Sequence, residues 1–532
     1  MGIHLSPRRV VRTLACALLG AWLVSAGGAN PVRRVNAVLA PGEDVNLWLP
    51  SSDGKRAYYI VTQDGFDGGQ IFRVSTLGNR DAVALTAALP TERDIFTLQL
   101  ANDGTRLAYA ADQDTDEQWE LYSVPTDASA APVKLNAALA ANQDVSPYSF
   151  RFTPDGTRVV FFVGQKLWSA PADGSSAAVQ LGTMSVVGLF QIAPDSGHVV
   201  FTSGQVYSVP TDGSAPPLQL SGTAIAEQPR TDYQISPDGA RVVYRAWTFS
   251  GEDPINWIFS VPIDASAAPE LLFPPLLDTN FIGNATPFVY ITSDSSRVVY
   301  RTDPTYQLLS APIDGSGSVV RLDPAGGHVG YDCRLTADDR VVFGFAPSGL
   351  SQAIFVVPAD GSQPAVRLTP EGGPTPIKWE LSTSGRVVYD GFYGGRYEVY
   401  SVPLAGGQAP VRLSGTMVAG GNLVNGNIVN VPSFRLTPDG SAVVYQADQD
   451  TDEVVELYAV PTDGRLPATK VNAPLATGGD TYGYWIAPNS ARFLYGADQS
   501  ADAVYEFFTT ILPSDALEVE SQGEIPPGMG IH

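Results

Sequence analysis

The segment "DQDTDE" occurs twice in the chain, at Asp112–Glu117 and Asp448–Glu453. Asp112, Asp114, Asp116 and Glu117 place four carboxylates on the first copy, as Asp448, Asp450, Asp452 and Glu453 do on the second. Alternating acids on a short segment suit a hard cation that takes oxygen ligands, and Ca²⁺ is the one cofactor they suggest. Neither copy has the Gly at position six or the Glu at position twelve of an EF-hand loop. The competing reading is an acidic hairpin that water alone solvates. A weaker relative, "DQSAD", starts at Asp498.

Other reactive side chains are sparse. The chain has 4 His, and only His198 and His328 lie away from its ends. His328 sits in "GGHVGYDC", read as a connecting loop, beside Asp332 and Cys333. A Cys/His pair can form a nucleophile, but Cys333 falls on an expected innermost strand and reads as a small buried thiol. There is no G-x-S-x-G elbow, no His/Cys spacing for zinc and no Gly-rich phosphate loop. No catalytic residue is assigned. The 55 acids leave carboxylate-only chemistry open. "DGFDGG" (Asp64–Gly69) and "DGFYGG" (Asp390–Gly395) each put a Phe on a Gly-rich hairpin, either to stack on a ligand or to cap its own turn. Two long connectors with Asn and Gly, Thr416–Pro432 and Phe273–Pro287, offer adaptable surface or simple slack.

Something must position these segments, and a repeated hairpin does so. "YQISPDGARVVYRA" (Tyr233–Ala246) has near copies at Phe150 and Phe434. Pro presets φ for the turn, Asp accepts local backbone hydrogen bonds, and Gly takes the positive φ that other residues resist. Equivalent turns centre on Asp53, Asp103, Asp155, Asp195, Asp238, Asp294, Asp338, Ser384, Asp439 and Asn489, spaced 40 to 56 residues apart. After each comes a third strand of the "LYSVP" type (Leu121–Pro125), a "TDG" turn (Thr211–Gly213) and a short fourth strand such as "PVRL" at Pro410. Four antiparallel strands at this period predict an all-β chain of about ten four-stranded β-propeller blades.

The x-P-D-G-x-R-V-V-Y hairpins and the E-L-Y-x-V-P-x-D-G continuations resemble the WD40-like PD40 repeats of TolB-type propellers, over roughly Val45 to Leu512. The chain departs from that family in leaving no room for the additional α/β domain. Propeller lyases similar to these repeats rely on several His ligands, which this chain lacks. The resemblance implies a fold and does not select a function.

"RVNAVLAPGED" from Arg34 matches "KVNAPLATGGD" from Lys470 and "KLNAALAANQD" from Lys134, both read as fourth strands. Residues 32–39 are therefore expected to complete the last blade and close one ring within residues 30–513, hiding two sheet edges. Two five-bladed rings are the alternative. Residues 514–532 read as a tail.

Arg8, Arg9 and Arg12, the apolar run Leu14–Val24 and the small residues Ser25–Ala29 predict a signal peptide over residues 1–29. The protein is expected to be exported, to the periplasm or beyond the cell, without membrane insertion, and to be a monomer. Cys333 is then the one remaining cysteine, so no intramolecular disulfide forms. The formal charge of −23 becomes −26 and disfavours nucleic acid. The functional expectation is a non-enzymatic propeller that binds a protein, peptide or glycan through its variable loops. The alternatives are a carboxylate-dependent lyase or glycosidase at the central channel, and a structural envelope protein.

Overall fold

In the computed structural model, residues 39–511 are described outside 41–42, 52–54, 64–66, 76–81, 187, 189, 223–227, 251–252, 274–275, 278–288, 303–304, 348–351, 425–432, 487–489, 491, 498 and 500–505. These residues form ten antiparallel sheets in chain order and contain no helix. Each sheet is a meander whose strands pair in sequence order. The first strands of sheets 1 to 10 are Glu43–Pro50, Ile95–Leu100, Val145–Phe152, Gln191–Ile192, Gln228–Ile235, Val289–Ile291, Gly327–Leu335, Thr375–Ser382, Phe434–Leu436 and Thr481–Ile486. Eight sheets have four strands. Sheet 5 adds a fifth, Leu276–Leu277, paired with Asp253–Pro262, and sheet 10 shows three. The all-β class and the four-strand repeat match the sequence expectation, and the sheets fit propeller blades.

The repeated turn forms as the residue types require. In sheet 3 the Asp155 carboxylate accepts from Thr153 Oγ1, Thr157 N and Thr157 Oγ1 at 2.5–3.0 Å, while Gly156 sits at φ 72°. Sheets 4 and 6 put Ser196 and Ser295 at that left-handed position, with φ 65° and 58°. Their hydroxyls accept the Asp155 and Asp238 amides of the preceding sheets at 3.0 Å, which offsets the strain of a non-glycine there.

Second and third strands form the interior of each sheet. Opposed aromatic pairs stack across them: Tyr109–Tyr122, Tyr389–Tyr400 and Tyr445–Tyr458 have centroids 5.4–5.5 Å apart and planes within 17–22°. Nine apolar clusters join the sheets in succession, from Ile60, Leu107 and Tyr109 between sheets 1 and 2 to Val444, Tyr484 and Ile486 between sheets 9 and 10. The core is therefore a chain of sheet-to-sheet interfaces, each filled by the apolar residues of two adjacent hairpins. Fourth strands such as Val133–Lys134 and Val411–Arg412 are two residues long, which limits the edge open to pairing with another chain.

The expected closing strand, 32–39, lies almost wholly outside the described residues, as do the predicted signal peptide and the tail. No apolar cluster joins sheets 1 and 10 among the described residues.

Candidate functional site

The two ends of the sheets differ in character. At the end carrying the Pro-Asp-Gly turns, arginines that open second strands lock neighbouring sheets together. Arg158 Nε donates to Ser169 Oγ within its own sheet at 2.8 Å and to the Thr211 carbonyl of the next at 3.1 Å. Arg297 repeats the arrangement with Ser310 Oγ and the Ala359 carbonyl. Arg340 Nη1 reaches the Leu404 carbonyl at 3.0 Å. His198 occupies the same register opposite Pro210 as Arg158 does opposite Pro171. Burial pushes the turn aspartates Asp155, Asp238 and Asp439 up, but their hydrogen bonds together hold them below the usual carboxylate range. This face is taken up with holding the sheets together.

The opposite face holds the second-to-third-strand loops and the sheet-to-sheet connectors, including both "DQDTDE" segments. The structure separates their carboxylates. Asp112 is buried and accepts the Asp94 amide at 2.5 Å and the Glu117 amide at 3.2 Å, so it closes its own loop. Asp448 does the same with the Asn422 and Glu453 amides. Glu117 and Glu453 turn the chain at φ 60° and 61°. Asp114 lies 2.5 Å from Lys134 Nζ, which also meets the buried Glu120 at 2.8 Å, and Tyr122 donates its hydroxyl to Glu120 at 2.8 Å. Lys470 repeats this clasp with Asp450 at 3.0 Å and Glu456 at 2.6 Å, with Tyr458 on Glu456 at 3.1 Å. Asp116 and Asp452 remain exposed.

A lysine ammonium therefore stands between one loop carboxylate, Asp114 or Asp450, and a buried strand glutamate, Glu120 or Glu456. Among the described residues, no three His, Cys, Asp or Glu side chains converge as a metal cage. Sequence reading had the acids but missed Lys134 and Lys470. The available signal was that both "DQDTDE…ELY" segments are followed by a lysine fourteen residues after the Glu of "ELY".

His328 lies in the strand Gly327–Leu335, opposite Ala346, rather than in the loop expected from its flanking glycines. It is exposed and meets Tyr306 edge-on at 5.6 Å. Cys333 is on the same strand beyond a register shift, packed with Val299, Val341 and Phe343. Burial pushes its thiol up to about 12, so it is no thiolate at neutral pH. In "DGFYGG", Gly394 and Gly395 take φ 60° and 89° in a two-residue turn, and Phe392 leans on Tyr397 at 4.9 Å, so the hairpin caps itself while Tyr393 stays exposed. Residues 64–66 of "DGFDGG" lie outside the described residues. The described part of the Thr416–Pro432 connector is pinned: Val418 and Val424 amides donate to the Gln449 and Gln446 carbonyls, and Met417 and Leu423 are buried.

A further feature was not legible in the repeats. Seven first strands, in sheets 1, 2, 3, 5, 7, 8 and 10, shift register in their loop-side half. Such bulges re-aim side chains where strand ends meet a site. In sheets 2 and 3 they carry Phe96 and Tyr148, and Trp119 of the acidic loop joins them. Phe96 meets Trp119 at 5.2 Å with planes at 69°, and Tyr148 at 4.8 Å with planes at 86°.

An all-β chain of propeller-type sheets, one face interlocked and the other bearing acidic loops and exposed aromatics, is the class these observations define. Neither a protein-family profile nor a curated protein sequence matches the chain. Among solved structures, it is similar in fold to a putative TolB from Agrobacterium tumefaciens, at 15% identity over 63% of this chain and 94% of that one, with a TM-score of 0.26. It is likewise similar to an oligogalacturonate lyase from Vibrio parahaemolyticus, at 12% identity over 80% and 100% of the two chains, with a TM-score of 0.32. A eukaryotic initiation factor shares 12% identity over 75% and 93%, with a TM-score of 0.43.

Proposed function

We propose that the chain is an exported, non-enzymatic β-propeller that binds a protein, peptide or glycan through its loop face. The observation that carries this reading is the asymmetry of the two ends. Turn-face arginines and aspartates are engaged between neighbouring sheets, whereas the loop face leaves Tyr148 79% exposed in a strand bulge and Tyr393 53% exposed beside a hairpin turn. Exposed aromatics on a rigid scaffold are an interaction surface rather than a core. Export rests on the N-terminal sequence.

We also propose that the ring closes through the N-terminal segment. The Glu43 amide donates to the Ala40 carbonyl at 3.0 Å, as Gln143 does to Ala140 at 3.0 Å and Gly479 to Ala476 at 2.9 Å. In the latter two copies that turn leads from a fourth strand into the next sheet, so the same turn before sheet 1 supports a fourth strand upstream of it. Sheet 10, which shows three strands among the described residues, is the sheet to which we assign it.

The test is a binding panel of peptides and oligosaccharides against wild type, a loop-face variant (Tyr148→Ala/Tyr393→Ala) and a turn-face variant (Asp173→Asn). Binding lost only in the loop-face variant is the expected result. Loss only in the turn-face variant, or turnover of an oligosaccharide by the wild type, overturns the reading.

A further inference from the structure

The cluster at the loop end of sheets 2 and 3 specifies its ligand further than the fold does. This step rests on the loop-face reading above. Trp119 is fixed from both sides: its amide donates to Asp144 Oδ1 at 2.9 Å and its carbonyl accepts the Val145 amide at 2.9 Å. Gln118 Nε2 holds the same connector through the Ala140 carbonyl at 3.1 Å. Phe96 is the extra residue of a bulge between Ile95 and Thr97, and Tyr148 lies within the register shift of Val145–Phe152. The Trp119 backbone is thus fixed before any ligand arrives, which lowers the ordering cost of binding.

The arrangement of the three rings differs from that of the pairs directly opposed across second and third strands, such as Tyr109 and Tyr122 at 21°. Here the planes stand at 69° and 86°, so the ring faces point in different directions. An exposed ring face attracts a cation through its quadrupole. Elsewhere the chain fills such faces itself, with Arg301 over Tyr306 at 5.2 Å, Arg334 over Trp379 at 5.6 Å and Arg435 over Tyr484 at 5.8 Å. Among the described residues, no cation of the chain sits over Phe96, Trp119 or Tyr148.

The charge around the cluster selects the same ligand. Glu92, Asp116 and Glu117 are exposed at this end. The nearby bases are already engaged: Arg93 on the Asp112 carbonyl at 3.0 Å, Lys134 in its clasp, and Lys166 on the Thr183 carbonyl at 2.5 Å. Arg151 is exposed, but it lies three residues further along its strand, toward the turn face. The whole chain carries −23. We propose that Phe96, Trp119 and Tyr148 form a docking site for a lysine or arginine side chain of a basic protein segment, with the surrounding acids drawing it in.

The probes are a tetralysine peptide, tetramethylammonium as a competitor that carries one charge, and cellohexaose as a neutral sugar, titrated calorimetrically at fixed ionic strength. Tyr148→Ala changes no charge and, at an exposed site, should leave the thermal melt in place. It is expected to weaken tetralysine binding about three- to tenfold, and tetramethylammonium is expected to compete. Equal affinity in wild type and Tyr148→Ala, or binding of cellohexaose that requires Tyr148, overturns the proposal. If Tyr393→Ala abolishes tetralysine binding while Tyr148→Ala does not, this site fails and the loop-face reading stands. If only Asp173→Asn on the turn face matters, both fail.

Discussion

Replacing Lys134 by methionine isolates the clasp that occupies the first acidic loop. Methionine keeps the stem and removes the charge. Lys134 Nζ lies 2.9 and 2.8 Å from the two Glu120 oxygens and 2.5 Å from Asp114. The Glu120 side chain is 4% exposed and that of Asp114 49%. Asp114 loses little, because water replaces the ammonium. Glu120 keeps only the Tyr122 hydroxyl and becomes a buried, poorly compensated carboxylate. Breaking a fully buried pair costs about 3–5 kcal/mol. The Lys134 side chain is 32% exposed, so screening reduces this to about 2–3 kcal/mol.

Native-state hydrogen exchange of the Glu120–Pro125 strand reads the loss locally, as a fall in protection of about 30- to 150-fold where that strand opens as a unit. Glu120→Gln/Lys134→Met should recover much of it, a coupling of about 1–2 kcal/mol. Single-variant effects that merely add, or protection unchanged in Lys134→Met, would refute the clasp. The pH dependence has a definite sign. Burial lowers the Lys134 pKa, but its hydrogen bonds and charges with Asp114 and Glu120 raise it on balance above the ordinary lysine value. Its contribution is therefore fully present below about pH 10.5 and is lost as pH rises through the elevated folded value.

Deleting Pro31–Ala40 should leave sheet 10 with an open edge and lower the melting temperature or cause aggregation, and an unchanged melt would show that this segment does not close the ring. The turn aspartates Asp155, Asp173, Asp212, Asp238, Asp294, Asp314, Asp360 and Asp439 are all held below the usual carboxylate range, so stability should be lost as pH falls below about 4; circular dichroism during acid titration checks this. Cys333 should resist thiol reagents in the native protein, and Cys333→Ser should cost about 1–3 kcal/mol if its hydroxyl finds no partner; fast labelling would contradict the packing. Thermal melts in EDTA and in millimolar Ca²⁺ at matched ionic strength should coincide, because Lys134 and Lys470 already neutralise Asp114 and Asp450; a shift near the ~2.7 kcal/mol expected at a hundredfold excess over the dissociation constant would restore the calcium reading.

What was legible in this chain follows the range of the interaction that encodes it. The turns at Asp155, Asp238 and Asp439 are specified within five residues, by Pro for φ, Asp for the local hydrogen bonds and Gly for the left-handed position. Ten copies of so local a signal gave the strands and their period. The acidic loops were visible as composition, but their meaning was not. Asp114 and Glu120 acquire their partner from Lys134, in a separate strand of the same sheet, and only the pairing of third with fourth strand brings the ammonium between them. Bulges are less visible still. A register shift such as that between Ile95 and Thr97 changes no residue type, yet it decides whether Phe96 joins the packed interior or the loop face. His328 shows the same limit: two glycines before it suggested a loop, while pairing with Ala346 made it strand. Local turn chemistry built the scaffold, and cross-strand pairing decided which side chains remained available for binding.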